Sequence, residues 1–462
     1  MIASSRFGRA ASWLKRAWAP LVLIVASLAM SVTVTGFHSQ ALSPIDEWVY
    51  IDYLYKLPSQ GIIHQGENIG PEALQLMACT GEKASGPQGP PCEISRVGDN
   101  VDPALFPYAG VQSAYGYTPL YFIPTWVIAK GIQFVTGTDL LTAGRFAGSF
   151  WLVGTMLLIY ALFREFKVKK VAAVAIGLAF IGSPFAWWTY TYISTDIPSV
   201  GISALLLLAA RRFILGRWSG WWVVLLSVVA ILFKTGNILA VGLAALYLLL
   251  QFLFEEVRAR PWRVPGAVTA GIRGKGPLGL VTVAITALVA SGVTQFAWQL
   301  VQKAATIGLP ADQGVGSPLT WEALLAQVAN FLPGTLTSNV ALVGGGFAYF
   351  VPYAIVAPLS WLCIGGVIGA LLVLPAGSSN RSIVYSVGIA SVVCAPLLAI
   401  LLQLSLGQYF ELPPRYGAPI LIGFLLLAGM IAEKNAFVKW VLTGYGAALV
   451  LFVVFTAHGF AR

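Results

Sequence analysis

The sequence predicts an all-α polytopic membrane protein with about 11 transmembrane helices, and three observations lead there. Only 10% of the 462 residues are charged, whereas 58% are hydrophobic. Apolar runs of about 17 to 24 residues, the length that crosses the hydrocarbon core of a bilayer, recur from end to end. The basic residues fall in short clusters between these runs, as orientation in a membrane requires, so the net charge of +10 implies no nucleic-acid partner.

The runs lie near 18–37, 140–163, 171–188, 197–213, 219–234, 237–254, 278–300, 351–374, 383–405, 417–432 and 437–457. The first follows Arg6, Arg9, Lys15 and Arg16 in the manner of a signal peptide, but it lacks a convincing small-residue cleavage site and many spans follow. It reads as a retained first helix. The run YTPLYFIPTWVIAKGIQFV, 117–135, is long enough to cross, yet it carries Pro119, Pro124 and Lys130, and charge arbitrates. If it lies along the surface, most of the 28 basic residues share one face; if it crosses, the clusters at 164–170, 211–217 and 258–275 change sides. The positive-inside rule selects a membrane-surface helix and a cytoplasmic N-terminus. Residues 221–254 exceed one span, and their sole charge, Lys234, sits beside Gly236 and Asn237, which predicts a tight outer hairpin.

The predicted organisation is a cytoplasmic N-terminus (1–17), a transmembrane module (18–255) with a large first outer loop (38–139), a basic cytoplasmic loop (256–277) and a C-terminal transmembrane region (278–462) with an outer loop at 301–350. Cys363 and Cys394 fall inside apolar runs, whereas Cys79 and Cys92 bracket the polar segment CTGEKASGPQGPPC. The second pair is expected to form a disulfide if that segment faces an oxidising compartment, and to remain two free thiols otherwise.

With this topology the polar residues that are costly in a membrane protein gather at the outer rim: Asp46, Glu47 and Asp52, Arg145, Asp196, Lys234, Glu411 and Arg415. Carboxylates there can take a proton from a hydroxyl nucleophile and cations can stabilise a departing phosphate, which suits an anionic, lipid-linked substrate. Bland readings compete. Ser43, Pro44 and Asp46 form a capping-box-like helix start, Asp196 can open the next helix, and Asp52 reads as a solvated helix residue. Lys234, Arg145 and Arg415 can anchor helix ends at the interface. The strip Trp187, Trp188, Tyr190 and Tyr192 reads as an interfacial belt before a sugar-stacking platform. GGGF at 344–347 follows no strand and reads as a loop, and the segment 317–350 as a lid over the site. His38, His64 and His458 are too scattered for a zinc site.

The order of an apolar span, then PIDEWVYIDYLYKLPSQG, then YTPLYFIPTWVIAKGIQFVTGTDLLTAGRFAGSFWLVGTMLLIYALFREF resembles the module of the GT-C glycosyltransferases, typified by protein O-mannosyltransferases and aminoarabinose transferases. In that family an Asp-Glu pair opens the first outer loop, a Pro-Leu-Tyr helix lies against the membrane and an Arg starts the second span; here these are Asp46 and Glu47, Pro119, Leu120 and Tyr121, and Arg145. TYISTDIPS around Asp196, ILFKTGN with Lys234 and LPPRYGAPIL around Arg415 extend the likeness, which covers roughly 15–255 and 408–425. One departure stands out: some members place a phosphate-binding Lys directly before the Pro-Leu-Tyr element, where this chain has Tyr117 and Thr118.

The resemblance implies an inverting transfer from a polyprenyl-phosphate sugar to a glycan, lipid or protein acceptor outside the cytoplasmic membrane, in bacterial cell-envelope assembly. Asp46, with Glu47 behind it, is then the expected base; Arg145, Lys234 and Arg415 are the expected donor-phosphate ligands. Asp196 is expected to bind sugar hydroxyls or to help Asp46 hold a divalent cation. The alternative is a membrane transporter or lipid-linked sugar flippase, but transporters place polar groups near the midplane of related halves, and here charges crowd one rim. A non-catalytic scaffold would have no need of both acids, and polymerase-type enzymes tend to place their key residues in a late outer loop.

Overall fold

The computed structural model describes residues 2–83, 85–95, 101–256, 277–311, 316–338, 353–374 and 380–458. The basic stretch 257–276 and the GGGF cluster at 344–347 lie outside these residues. Among the described residues the chain is helical, with only isolated β-bridges, and it is a polytopic membrane protein. Among the described residues, nine helices are long and apolar enough to span a bilayer: Ala17–Phe37, Leu140–Glu165, Ile197–Ile214, Thr235–Phe254, Leu278–Ala304, Ala354–Val373, Arg381–Leu404, Pro414–Ala432 and Ala436–Thr456.

The two remaining expected spans are shorter apolar helices, Lys170–Ile181 and Trp221–Phe233. The first stops early because Gly182, Ser183 and Pro184 break it. Ser183 Oγ accepts from Ala186 N at 3.2 Å and Pro184 takes the first position of a new short helix, Pro184–Thr189, where its missing N–H costs nothing. The aromatic strip that follows is not a belt. Trp187, Trp188, Tyr190 and Tyr192 are at most 2% exposed, so they are packing groups of the core.

Burial separates central from peripheral helices. Pro414–Ala432 and Ile197–Ile214 are 83% and 78% buried across their apolar windows, whereas Leu278–Ala304 and Ala436–Thr456 are 28% and 22% buried. The first two therefore form the middle of the bundle. Ala436–Thr456 packs along Lys170–Ile181, and a side chain at Gly446 would press on Ala179 N at 2.8 Å, the close backbone approach that small residues allow between membrane helices.

The segment predicted to lie on the surface forms the helix Phe122–Thr136, whose 15 residues fall short of the ~20 that a span requires. It buries Phe122, Thr125 and Ala129 and exposes Ile123, Val127, Phe134 and Val135. The helix Glu47–Gln60 packs beside it, with Tyr53 stacked on Phe122 at 3.8 Å between ring centroids. Both reach the segment that precedes the central helix Ile197–Ile214, where Thr195 Oγ1 donates to the Tyr50 hydroxyl and Ser194 N to that of Tyr121.

Candidate active site

Asp46 lies immediately before the helix Glu47–Gln60 with φ 57° and ψ 11°, and its side chain makes no capping hydrogen bond. A non-glycine residue in the left-handed region costs of order 1 kcal/mol or more and persists only where the surroundings impose it. The capping-box reading of Asp46 is therefore overturned. Ser43 N donates instead to Glu47 Oε2 at 2.8 Å, and Ser43 Oγ accepts from Ile45 N at 3.1 Å. Released from capping, the Asp46 carboxylate lies near the Tyr50 hydroxyl and feels Arg415, Lys234 and Asp196. Burial raises its pKa above the ordinary carboxylate value, against the opposing pull of Arg415 and Lys234.

Three distant segments meet at Asp196. Lys234, which ends the helix Trp221–Phe233, places Nζ 2.5 Å from Asp196 Oδ1. Arg415 sits in the tight turn Pro414–Gly417 that opens the helix Ala418–Ala432, and its Nε lies 3.6 Å from Asp196 Oδ2. That Nε is buried without a hydrogen-bond partner. The three side chains are 7–15% exposed, and aromatic rings shape the space around them. Lys234 Nζ lies 5.9 Å from the Tyr117 ring centroid and 5.3 Å from that of Tyr416, and the Arg415 guanidinium is 5.2 Å from the Tyr416 ring. Thus the Tyr117 ring, just before Thr118 and Pro119, lies beneath the Lys234 ammonium.

Asp196 does not suit a divalent cation. Each of its carboxylate oxygens already faces a cationic side chain, and no metal-holding group of His, Cys, Asp or Glu occurs among the described residues. A metal held between Asp46 and Asp196 would have to displace Lys234 and Arg415 from the Asp196 carboxylate.

Glu47 and Arg145 require a correction. They form a buried two-pronged pair, Nε to Oε1 at 3.0 Å and Nη2 to Oε2 at 2.7 Å, with side chains 0% and 3% exposed. Ile193 N and Ser43 N complete the Glu47 carboxylate at 2.9 and 2.8 Å. Arg145 donates further to the carbonyls of Ser39 and Ala41, both at 2.8 Å, and stacks over Tyr192. All four acceptor positions of the Glu47 carboxylate and four of the five Arg145 N–H donors are taken by protein, an arrangement that suits a structural pair better than a base and a phosphate ligand. The pair instead ties the first outer loop to the second span and to the 190–196 turn.

Asp52 is likewise not solvated. It is 0% exposed, accepting from Gly70 N and Gln112 Nε2, both at 2.7 Å, and pairing with Lys56 at 2.9 Å, so it holds the loop together from within. Cys79 and Cys92 are joined by a disulfide across a separation of 13 residues. Glu411 is exposed and has no contact with the cluster among the described interactions. Sequence reasoning missed Tyr50, whose hydroxyl lies 3.3 Å from that of Tyr117 and accepts from Thr195 Oγ1 at 3.2 Å. The signal was the four-residue step from Asp46 to Tyr50, which places both on one face of a helix start.

No protein-family model matches the chain, and no curated protein matches it by sequence. Among solved structures it is similar to ArnT from Cupriavidus metallidurans bound to undecaprenyl phosphate, at 16% identity and a TM-score of 0.45, covering 94% of this chain and 63% of that one. It is also similar to the Archaeoglobus fulgidus oligosaccharyltransferase tethered with an acceptor peptide, at 14% identity and a TM-score of 0.39, covering 97% of this chain and 55% of that one. The chain thus spans less than two thirds of the length of either structure.

Proposed function

We propose that this protein is a GT-C-type glycosyltransferase that moves a sugar from a polyprenyl-phosphate donor to an acceptor hydroxyl on the outer side of the cytoplasmic membrane. The observation that carries the reading is the left-handed, uncapped Asp46, whose carboxylate lies within electrostatic reach of Lys234 and Arg415. Strained backbone at a polar cluster fits a functional demand better than a stabilising one.

In this reading Asp46 takes the proton of the acceptor hydroxyl as its oxygen bonds to the anomeric carbon. The bond from that carbon to the phosphate oxygen breaks in line on the opposite face, inverting the centre, and the electron pair leaves with polyprenyl phosphate. Lys234 and Arg415 stabilise the growing phosphate charge. Asp196 holds the two cations in place before the donor arrives, so that little reorganisation is needed. Tyr117 and Tyr416 exclude water from one side. A raised pKa favours Asp46 as a base, because a carboxylate nearer working pH takes a proton more readily.

Purified protein in lipid, offered a panel of radiolabelled polyprenyl-phosphate sugars with crude envelope acceptor, is the test. Transfer by wild type that is lost in a folded Asp46→Asn variant supports the reading. Transfer that survives the substitution removes Asp46 from the chemistry, and no transfer across the panel rejects the proposed activity.

A further inference from the structure

The far end of the bundle carries a charged cavity with no part in the chemistry proposed above. It measures about 380 Å³, and its lining includes Tyr160, Arg164, Glu165, Lys167, Arg212 and Arg217. Nineteen positions along one helix separate Arg145 from Arg164, about 28 Å at 1.5 Å per residue, so this cavity and the candidate active site sit one hydrocarbon thickness apart.

Four cationic side chains meet a single carboxylate there. Glu165 is already engaged twice, by Arg217 Nη1 at 2.5 Å and Arg212 Nε at 3.1 Å, which fixes both guanidinium groups and leaves their remaining N–H donors available to an anion. Arg164 spends one donor on Val168 O at 2.6 Å. Lys167, Arg164 and Arg217 are exposed. The depth of the cavity is marked independently by tryptophan. Arg212 lies 4.7 Å from the Trp218 ring, Trp218 packs on Trp222, and Trp221 and Trp222 are 54% and 50% exposed. Half-exposed indoles beside arginines mark the headgroup level of a membrane protein.

We infer that this cavity is a binding site for the headgroup of an anionic phospholipid, with the phosphodiester held by Arg164, Lys167 and Arg217 and the acyl chains running along the apolar surfaces of the helices Leu140–Glu165 and Trp221–Phe233. A basic recess between membrane helices at headgroup depth is the form such sites take. The orientation predicted from charge places it in the cytoplasmic leaflet. A soluble phosphate would satisfy the cations but not the tryptophans and the lipid-facing helix surfaces, so the lipid is favoured.

Native mass spectrometry of the full chain, released from micelles holding equal amounts of phosphatidylglycerol and phosphatidylcholine, tests this. Wild type should retain phosphatidylglycerol selectively, and Lys167→Gln/Arg217→Gln should lose roughly 30-fold in its affinity, since each basic group near a membrane surface contributes little more than a factor of five. Both side chains are exposed, and Arg217→Gln alone, keeping the Arg212–Glu165 pair, serves if the double variant folds poorly. Lys434→Gln/Lys439→Gln, on another connection, should retain the lipid as wild type does. Equal retention of the two lipids, unchanged retention in the cavity variants, equal loss in the control variant, or displacement of the lipid by millimolar glycerol phosphate would each overturn the assignment.

Discussion

Replacing Glu47 with Gln separates a chemical role from a structural one. The side chain keeps its shape but loses its charge, and only one of its two terminal atoms can still accept. Four donors now converge on Glu47: two from Arg145, one from Ser43 N and one from Ile193 N. After substitution at least one of these faces an amide NH2, and Arg145, 3% exposed, is left as a buried charge without its counter-ion. Removing one partner of a buried pair typically costs about 3–5 kcal/mol. For a chain of this length that corresponds to a fall of roughly 5 °C in the melting midpoint. Tryptophan fluorescence during heating in mild detergent reads the stability, and sugar transfer on the same preparation reads activity. The double variant Glu47→Gln/Arg145→Met should be less destabilised than the two single variants combined, by at least about 1 kcal/mol of coupling. A Glu47→Gln protein that melts like wild type yet transfers no sugar would refute this reasoning and return Glu47 to the chemistry.

Asp46→Asn should lower kcat by about 10²–10⁴-fold, the usual worth of a general base, with donor binding retained. The same variant should melt above wild type at pH 7, because burial penalises the ionised carboxylate and Asn accepts a left-handed backbone more readily. Since folding raises the pKa of Asp46, wild-type stability relative to Asp46→Asn should decline as pH climbs from the ordinary carboxylate pKa through the raised one, and should be level below both. The acid limb of kcat/KM should correspondingly fall at a higher pH than a free carboxylate gives, and a pH–rate profile reads it. Lys234→Ala and Arg415→Ala should each weaken polyprenyl-phosphate binding by about 10–100-fold, the range for a charge-assisted hydrogen bond, as measured by titration in detergent. Cys79→Ser/Cys92→Ser should lower stability by about 3 kcal/mol through the loop it opens, with transfer by the folded fraction unchanged.

Much of the architecture was legible because it follows from hydropathy, which a bilayer makes nearly decisive: lipid-exposed backbone must be helical, so long apolar runs become spans. The reading failed at Ser183 and Pro184, where a run of suitable length carries its own helix stop and restart, and composition averaged over the run hides it. The rim cluster was legible in outline because Asp196, Lys234 and Arg415 each follow or precede an apolar run on the same predicted side. What each residue touches was not. Glu47 and Arg145 share charge, neighbourhood and resemblance with the rest of the cluster; only the carbonyls of Ser39 and Ala41 and the amide of Ile193, brought in by the fold, consume their donors and acceptors. Asp52 looked solvated for the same reason, since Gly70 and Gln112 arrive from distant parts of the loop.

The adjacency of Asp46 and Glu47 then has a physical explanation that neither residue supplies alone. Glu47 anchors the start of its helix from inside, pinned at both oxygens to Arg145 and to the backbone on either side of the bundle rim. With that residue fixed as the first of the helix, Ser43 N is held by the Glu47 carboxylate, and the intervening turn at residues 44–46 ends on a left-handed Asp46. A left-handed residue before a helix cannot aim its side chain back at the first free N–H groups, so the Asp46 carboxylate is turned toward Tyr50 and the cations instead. The buried ion pair is therefore a positioning device for its neighbour. Loosening it should relax residue 46 toward ordinary capping geometry, so the destabilised Glu47→Gln protein should also turn over more slowly in its folded fraction, whereas loss of activity with unchanged stability would assign Glu47 a chemical role of its own.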